Sequence, residues 1–164
     1  MKQDVILTIC GRQTYEGQEP DVIELTTDGT MEFHDGGWNI SYEESELTGL
    51  QGVTTTFRVE PGRVTLNRTG KLRSRMVFQE GTAHESLYQM EFGALMVTVC
   101  ADRVFYDLVP DGGTIDLVYS IEIENSAVGM VDYHLAIRAK NPKNAGESRE
   151  YAFVSQAEKQ PKLR

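Results

Sequence analysis

Thr114-Ile115-Asp116-Leu117-Val118-Tyr119-Ser120-Ile121-Glu122-Ile123-Glu124 decides the fold class. Ile115, Leu117, Tyr119, Ile121 and Ile123 share one parity, and Asp116, Ser120, Glu122 and Glu124 share the other. Strict alternation puts every second side chain on one face of an extended chain, so this stretch is a strand with an apolar side and a polar side. A second ladder follows at once. Val131, Tyr133, Leu135 and Ile137 alternate with Asp132, His134 and Arg138. The short link Asn125-Ser126-Ala127 predicts a hairpin between the two.

Outward from this pair, the same pattern recurs between glycine turns. Asp35-Gly36-Gly37, Pro61-Gly62, Glu80-Gly81, Phe92-Gly93 and Asp111-Gly112-Gly113 each separate two β-type runs, and glycine supplies the positive φ such turns need. The runs cover about 4–10, 21–34, 38–45, 53–60, 63–69, 72–79, 84–91, 94–101, 104–109, 114–124 and 128–140, and fusion of some into long curled strands leaves roughly eight to ten. No comparable window has helical spacing. The expectation is an all-β protein, an antiparallel closed β-barrel, because closure removes the exposed edges that so many strands would leave. With 164 residues and a 40% apolar share, the chain suits one domain. That barrel is expected over residues 1–140. A breaker cluster, Asn141-Pro142-Lys143-Asn144-Ala145-Gly146, opens a polar C-terminal tail over 141–164, in which only Tyr151-Ala152-Phe153-Val154 has the apolar character to dock.

Charge and motifs exclude more than they assign. Sixteen basic residues against 25 acidic give a net charge of −9, which argues against a general nucleic-acid binder. No apolar run reaches the ~18 residues of a membrane-spanning helix, and no export signal is visible, so a cytoplasmic protein with no membrane partner is expected. Cys10 and Cys100 lie inside strand-like runs and read as buried free thiols. Phosphate loops, nucleophile elbows, zinc-protease helices and dinucleotide fingerprints are all missing. His34, His84 and His134 are scattered, which is weak support for a metal, and neither a metal nor a cofactor is expected.

Two segments carry chemistry. Residues 58–75 hold Arg58, Arg63, Arg68, Lys71, Arg73 and Arg75 against the single acid Glu60. Most of these are expected on solvated strand faces. Arg68, however, shares the parity of Val64 and Leu66, and Arg58 that of Thr54 and Thr56, so one or both are candidates to point inside, where a guanidinium needs a carboxylate. The candidate partners are Glu44 and Glu46, which share the parity of Tyr42 and so project from one face if the strand runs on. Paired carboxylates can also do acid–base work when burial separates their pKa values; solvation at a strand end is the plainer alternative.

The stretch Ser41-Tyr42-Glu43-Glu44-Ser45-Glu46-Leu47-Thr48-Gly49-Leu50-Gln51-Gly52-Val53-Thr54-Thr55-Thr56 closely resembles the signature of the YwiB-like family of small bacterial proteins. The likeness extends through Arg68-Thr69-Gly70, Met76-Val77-Phe78, Glu80-Gly81, His84-Glu85-Ser86, Tyr88 and Phe92-Gly93-Ala94-Leu95, with a departure at Met90-Glu91. It implies a calycin-type, lipocalin-like barrel and no activity. The expected function is small-molecule binding in the barrel lumen or mouth, with Tyr42, Glu44, Glu46, Thr54, Thr56, Arg68, His84 and Tyr88 as candidate ligand-binding residues. Two alternatives stand beside it: an enzyme using Glu44 or Glu46 with His84 or Tyr88, and an interaction module with a filled barrel.

Overall fold

The computed structural model describes residues 2–15 and 17–142, with the backbone of 153–154. Ten strands follow one another: β1 (Gln3–Thr14), β2 (Asp21–His34), β3 (Gly37–Glu43), β4 (Val53–Glu60), β5 (Arg63–Gly70), β6 (Ser74–Phe78), β7 (Ala83–Met90), β8 (Gly93–Val109), β9 (Gly112–Ile123) and β10 (Ser126–Ala139). A two-residue strand β11 (Phe153–Val154) pairs with Leu108 and Asp107 of β8. All ladders between these strands are antiparallel. One sheet runs β8-β9-β10-β1-β2-β3-β4-β5-β6, and β7 pairs with the other edge of β8. The sheet returns on itself across a seam where the residues flanking β6 meet β7 and β8 through isolated bridges, Arg73 to Gln89 and Glu80 to Ala101. The result is a nearly closed all-β barrel, as the alternation predicts.

The runs 94–101 and 104–109 fuse into β8, which changes register between Ala101 and Arg103 and bends there. The β9–β10 hairpin turns one residue earlier than expected. Glu124 and Asn125 carry the positive φ angles, 51° and 65°, the geometry of a tight two-residue turn that follows the twist of the strands. The expected tail over 141–164 lies outside the described residues, apart from 141–142 and the backbone pair at 153–154. Cys10 and Cys100 are free and half-buried. They are not in the core, because each sits on the parity opposite the buried Ile9, Val97 and Val99.

Burial is graded along the barrel axis, and this positions the site. At the end carrying the β2–β3, β4–β5, β6–β7 and β8–β9 turns, side chains such as Val5, Leu7, Val59, Val64, Phe78, Leu108 and Ile115 have no exposed surface. Towards the opposite end, β9 passes from buried Ile115, Leu117 and Tyr119 to half-buried Ile121 and Ile123, and β10 is fully buried only from Leu135 onwards. The interior is solid at one end and hollow at the other.

Candidate functional site

The hollow end begins with a register. Tyr42 on β3 stands opposite Thr55 on β4, Thr55 opposite Arg68 on β5, and Arg68 opposite Ser74 on β6. Cross-strand partners share a face, and Thr55 and Ser74 are buried, so four polar side chains form one row on the inner wall. Tyr119 of β9 and Tyr133 of β10 face this row from across the barrel, with Tyr119 packed on Phe78 at 4.5 Å between ring centroids and Tyr133 on Phe57 at 5.7 Å.

Glu44 continues the inward parity of Tyr42 and is only 7% exposed. Its carboxylate accepts hydrogen bonds from Thr48 Oγ1, at 2.8 Å, and from Thr55 Oγ1. Arg68 has a different environment. Among the described residues no carboxylate lies within ion-pair distance of it, and its Nε, although buried, has no hydrogen-bond partner. The Oγ of Ser74, its register neighbour, is also buried without a partner. Natural interiors rarely leave such groups unpaired, since each costs ~1–3 kcal/mol. Here two of them are adjacent.

Two cavities meet at Arg68. One, of about 220 Å³, is bounded by Tyr42, Glu44, Thr48, Tyr133 and the ends of β1 and β2. The other, of about 360 Å³, is lined by Met76, Tyr88, Leu95, Val97, Tyr119, Ile121 and Ile123. Gln13, Arg68 and Val131 border both. Arg68 also reaches a depression across the β6–β7 seam, beside Arg73, Ser74 and Arg75.

The tyrosines of this wall are held protonated. Burial, reinforced by the neighbouring Glu44 carboxylate, pushes Tyr42 up to about 12, against the opposing pulls of its hydrogen bond with Tyr133 and, more weakly, of Arg68. Burial likewise raises Tyr119 to about 12 and Tyr133 well above the ordinary tyrosine value, and Arg68 pulls both down in part. At neutral pH the two cavities therefore offer a guanidinium and neutral phenols, of which Tyr42 and Tyr133 are hydrogen-bonded to each other and Tyr42 to Glu44.

The expected site is partly assembled. Arg68, Tyr42 and Glu44 share the first cavity, and Tyr88 joins Arg68 in the second. Arg68 and Glu44 do not form an ion pair; the Glu44 carboxylate takes hydrogen bonds from Thr48 and Thr55 instead. Glu46 is a correction: β3 ends at Glu43, and a 3-10 turn over Glu46–Thr48, capped by Ser45, leaves Glu46 exposed. Thr54 and Thr56 face outwards, where Thr54 donates to Glu43 and Thr56 pairs with Ser41. Arg58 shares their outer face and donates to the carbonyls of His34 and Asp35. His84 lines neither cavity, and its Nε2 meets Gln79. Thr55, Ser74, Tyr119 and Tyr133 were not among the candidates. Thr55 was recoverable from the parity of Val53, Phe57 and Val59, and the two tyrosines from their places in the apolar ladders.

Comparison with known proteins agrees with the fold. Residues 7–137 match the family model described as Domain of unknown function (DUF1934). The chain is 27% identical over 124 residues to the "Uncharacterized beta-barrel protein YwiB" of Bacillus subtilis (strain 168), covering 75% of this chain and 86% of that protein. The crystal structure of the ywiB protein from Bacillus subtilis superposes with a TM-score of 0.77 at 21% identity, over 85% of this chain and 94% of that one. The chain belongs to the DUF1934 family.

Proposed function

We propose that this protein binds a small anionic molecule inside the open end of its barrel, with Arg68 as the charge partner. One observation carries the reading: Arg68 Nε and Ser74 Oγ are adjacent, buried and unpaired within the chain. A bound carboxylate or similar acceptor gives the guanidinium the partner that the chain does not, with Tyr119 facing it, while the hydroxyls of Tyr42 and Tyr133 bond to each other and Tyr42 also to Glu44. Ligand sites of this kind are mostly apolar hollows with a few placed polar groups. The hollow end argues against a filled barrel; of the partners an enzyme would need beside Glu44, His84 lines neither cavity and Tyr88 lines the second while Glu44 lines the first.

Titration of 15N-labelled protein with benzoate tests the reading. Saturable shifts concentrated at Arg68, Ser74 and the facing tyrosines are expected, with loss of the response in Arg68→Met. Absence of saturable shifts at millimolar benzoate, or the same response in Arg68→Met, rejects it.

A further inference from the structure

The two cavities differ in chemistry, and the difference specifies the ligand's shape. The first is bordered by Arg12, Asp21, Glu44 and Thr48 as well as by apolar groups. In the second, Arg68 and Gln13 are the polar side chains apart from the tyrosine hydroxyls, and both stand where the cavities join. Beyond that junction the wall is aliphatic and aromatic: Met76, Leu95, Val97, Ile121 and Ile123 come from β6, β8 and β9. At about 360 Å³ this arm is far larger than the voids left by ordinary packing and lies within the range of ligand sites. Apolar side chains also border the open end, where Ile23 lines the first cavity at 50% exposure and Val22 beside it is 56% exposed.

Resting on the anion-binding reading above, we propose that the ligand is an amphiphile with a single anionic head and an apolar chain, the head at Arg68 where the two cavities join and the chain in the apolar arm. A single charge is favoured because Arg68 is the one arginine bordering both cavities, while the Asp21 and Glu44 carboxylates border the first and repel a second negative charge. The chain follows from the arm, which beyond Arg68 and Gln13 offers dispersion contact with apolar side chains and only the Tyr88 and Tyr119 hydroxyls to hydrogen-bond.

The test is isothermal titration of the purified protein with hexanoate, octanoate and decanoate, each below its micelle concentration, and with decanol and decyl phosphate. Each buried methylene is expected to tighten binding about three- to fourfold, up to a plateau when the arm is full. Decanol is expected to bind at least about tenfold more weakly than decanoate, and Arg68→Met to bring the two level. Ile121→Trp, which fills the arm, is expected to flatten the ratio of decanoate to hexanoate affinity; the wild-type series decides the matter even if that variant misfolds. Decyl phosphate, which carries close to two negative charges at neutral pH, is expected to bind more weakly than decanoate; tighter binding of decyl phosphate overturns the single-charge assignment. If short carboxylates bind but length brings no gain, the chain assignment falls and the anion site stands. If decanol binds as well as decanoate, the head assignment falls. If no carboxylate binds, both fall.

Discussion

Replacing Arg68 by methionine removes a charge that has no ion-pair partner while keeping most of the side chain's length. Were Arg68 half of a buried ion pair, losing it would strand a carboxylate and cost ~3–5 kcal/mol. The structure gives a different ledger. Glu44 keeps its hydrogen bonds from Thr48 and Thr55 in the variant, so nothing is stranded. The unpaired Nε, which costs ~1–3 kcal/mol while buried, is removed. Against that gain stands the loss of a longer-range attraction to Glu44, about 1–2 kcal/mol at an effective dielectric near 20. These effects nearly cancel, so Arg68→Met in the ligand-free protein is expected to lie within about 1 kcal/mol of wild type. For a domain of this size that is a change in Tm of no more than about 4 °C. Urea denaturation and thermal melting of both proteins, stripped of ligand, measure it. A loss of 3 kcal/mol or more would refute the reasoning, because it would show that the guanidinium holds the fold together.

Thr55→Val removes one of the two threonine donors to the buried Glu44 and is expected to cost ~1–3 kcal/mol by urea denaturation. Thr56→Val on the outer face, whose hydroxyl meets Ser41 at 2.8 Å, is expected to cost less than ~1 kcal/mol by the same measurement. Tyr42 and Tyr119 titrate near 12 in the fold against about 10 unfolded. The folded state thus favours their neutral forms, and this stability is complete below pH ~10 and lost as pH rises through 12, up to roughly 2–3 kcal/mol for each. Absorbance titration at alkaline pH should show a late tyrosinate step that coincides with unfolding. Gly113 has a φ of 140°, and an added Cβ would meet the Asp107 carbonyl oxygen at 1.9 Å, so Gly113→Ala is expected to cost more than ~3 kcal/mol. Gly36→Ala, at a φ of 75° with open space around it, is expected to cost ~1–2 kcal/mol, and thermal melts should separate the pair.

The barrel was legible because alternation and turn chemistry act locally. The apolar parity of Ile115 to Ile123 specified which side chains of β9 face inwards, and the glycine turns marked most strand ends. The site was only half legible. Arg68 and Glu44 followed from parity, since each continues an apolar face. Parity failed at Glu46 because it assumes an extended chain, and Ser45 caps a 3-10 turn there. It was misphased along Thr54-Thr55-Thr56, where three identical side chains carry no contrast and the phase had to come from Phe57 and Val59. Ser74 and the tyrosines meet Arg68 through register and closure of the barrel, which no single strand's sequence encodes.

The central claim is that Arg68 is an unoccupied charge partner within the chain and takes up an anionic ligand. The 15N signal of the Arg68 Nε–H group, assigned by its disappearance in Arg68→Met, reports on that atom directly. On titration with decanoate the signal is predicted to shift downfield and saturate at one equivalent, while the signals of exposed Arg73 and Arg75 hold still. An Arg68 signal that does not move, or shifts confined to Arg73 and Arg75, would contradict the account.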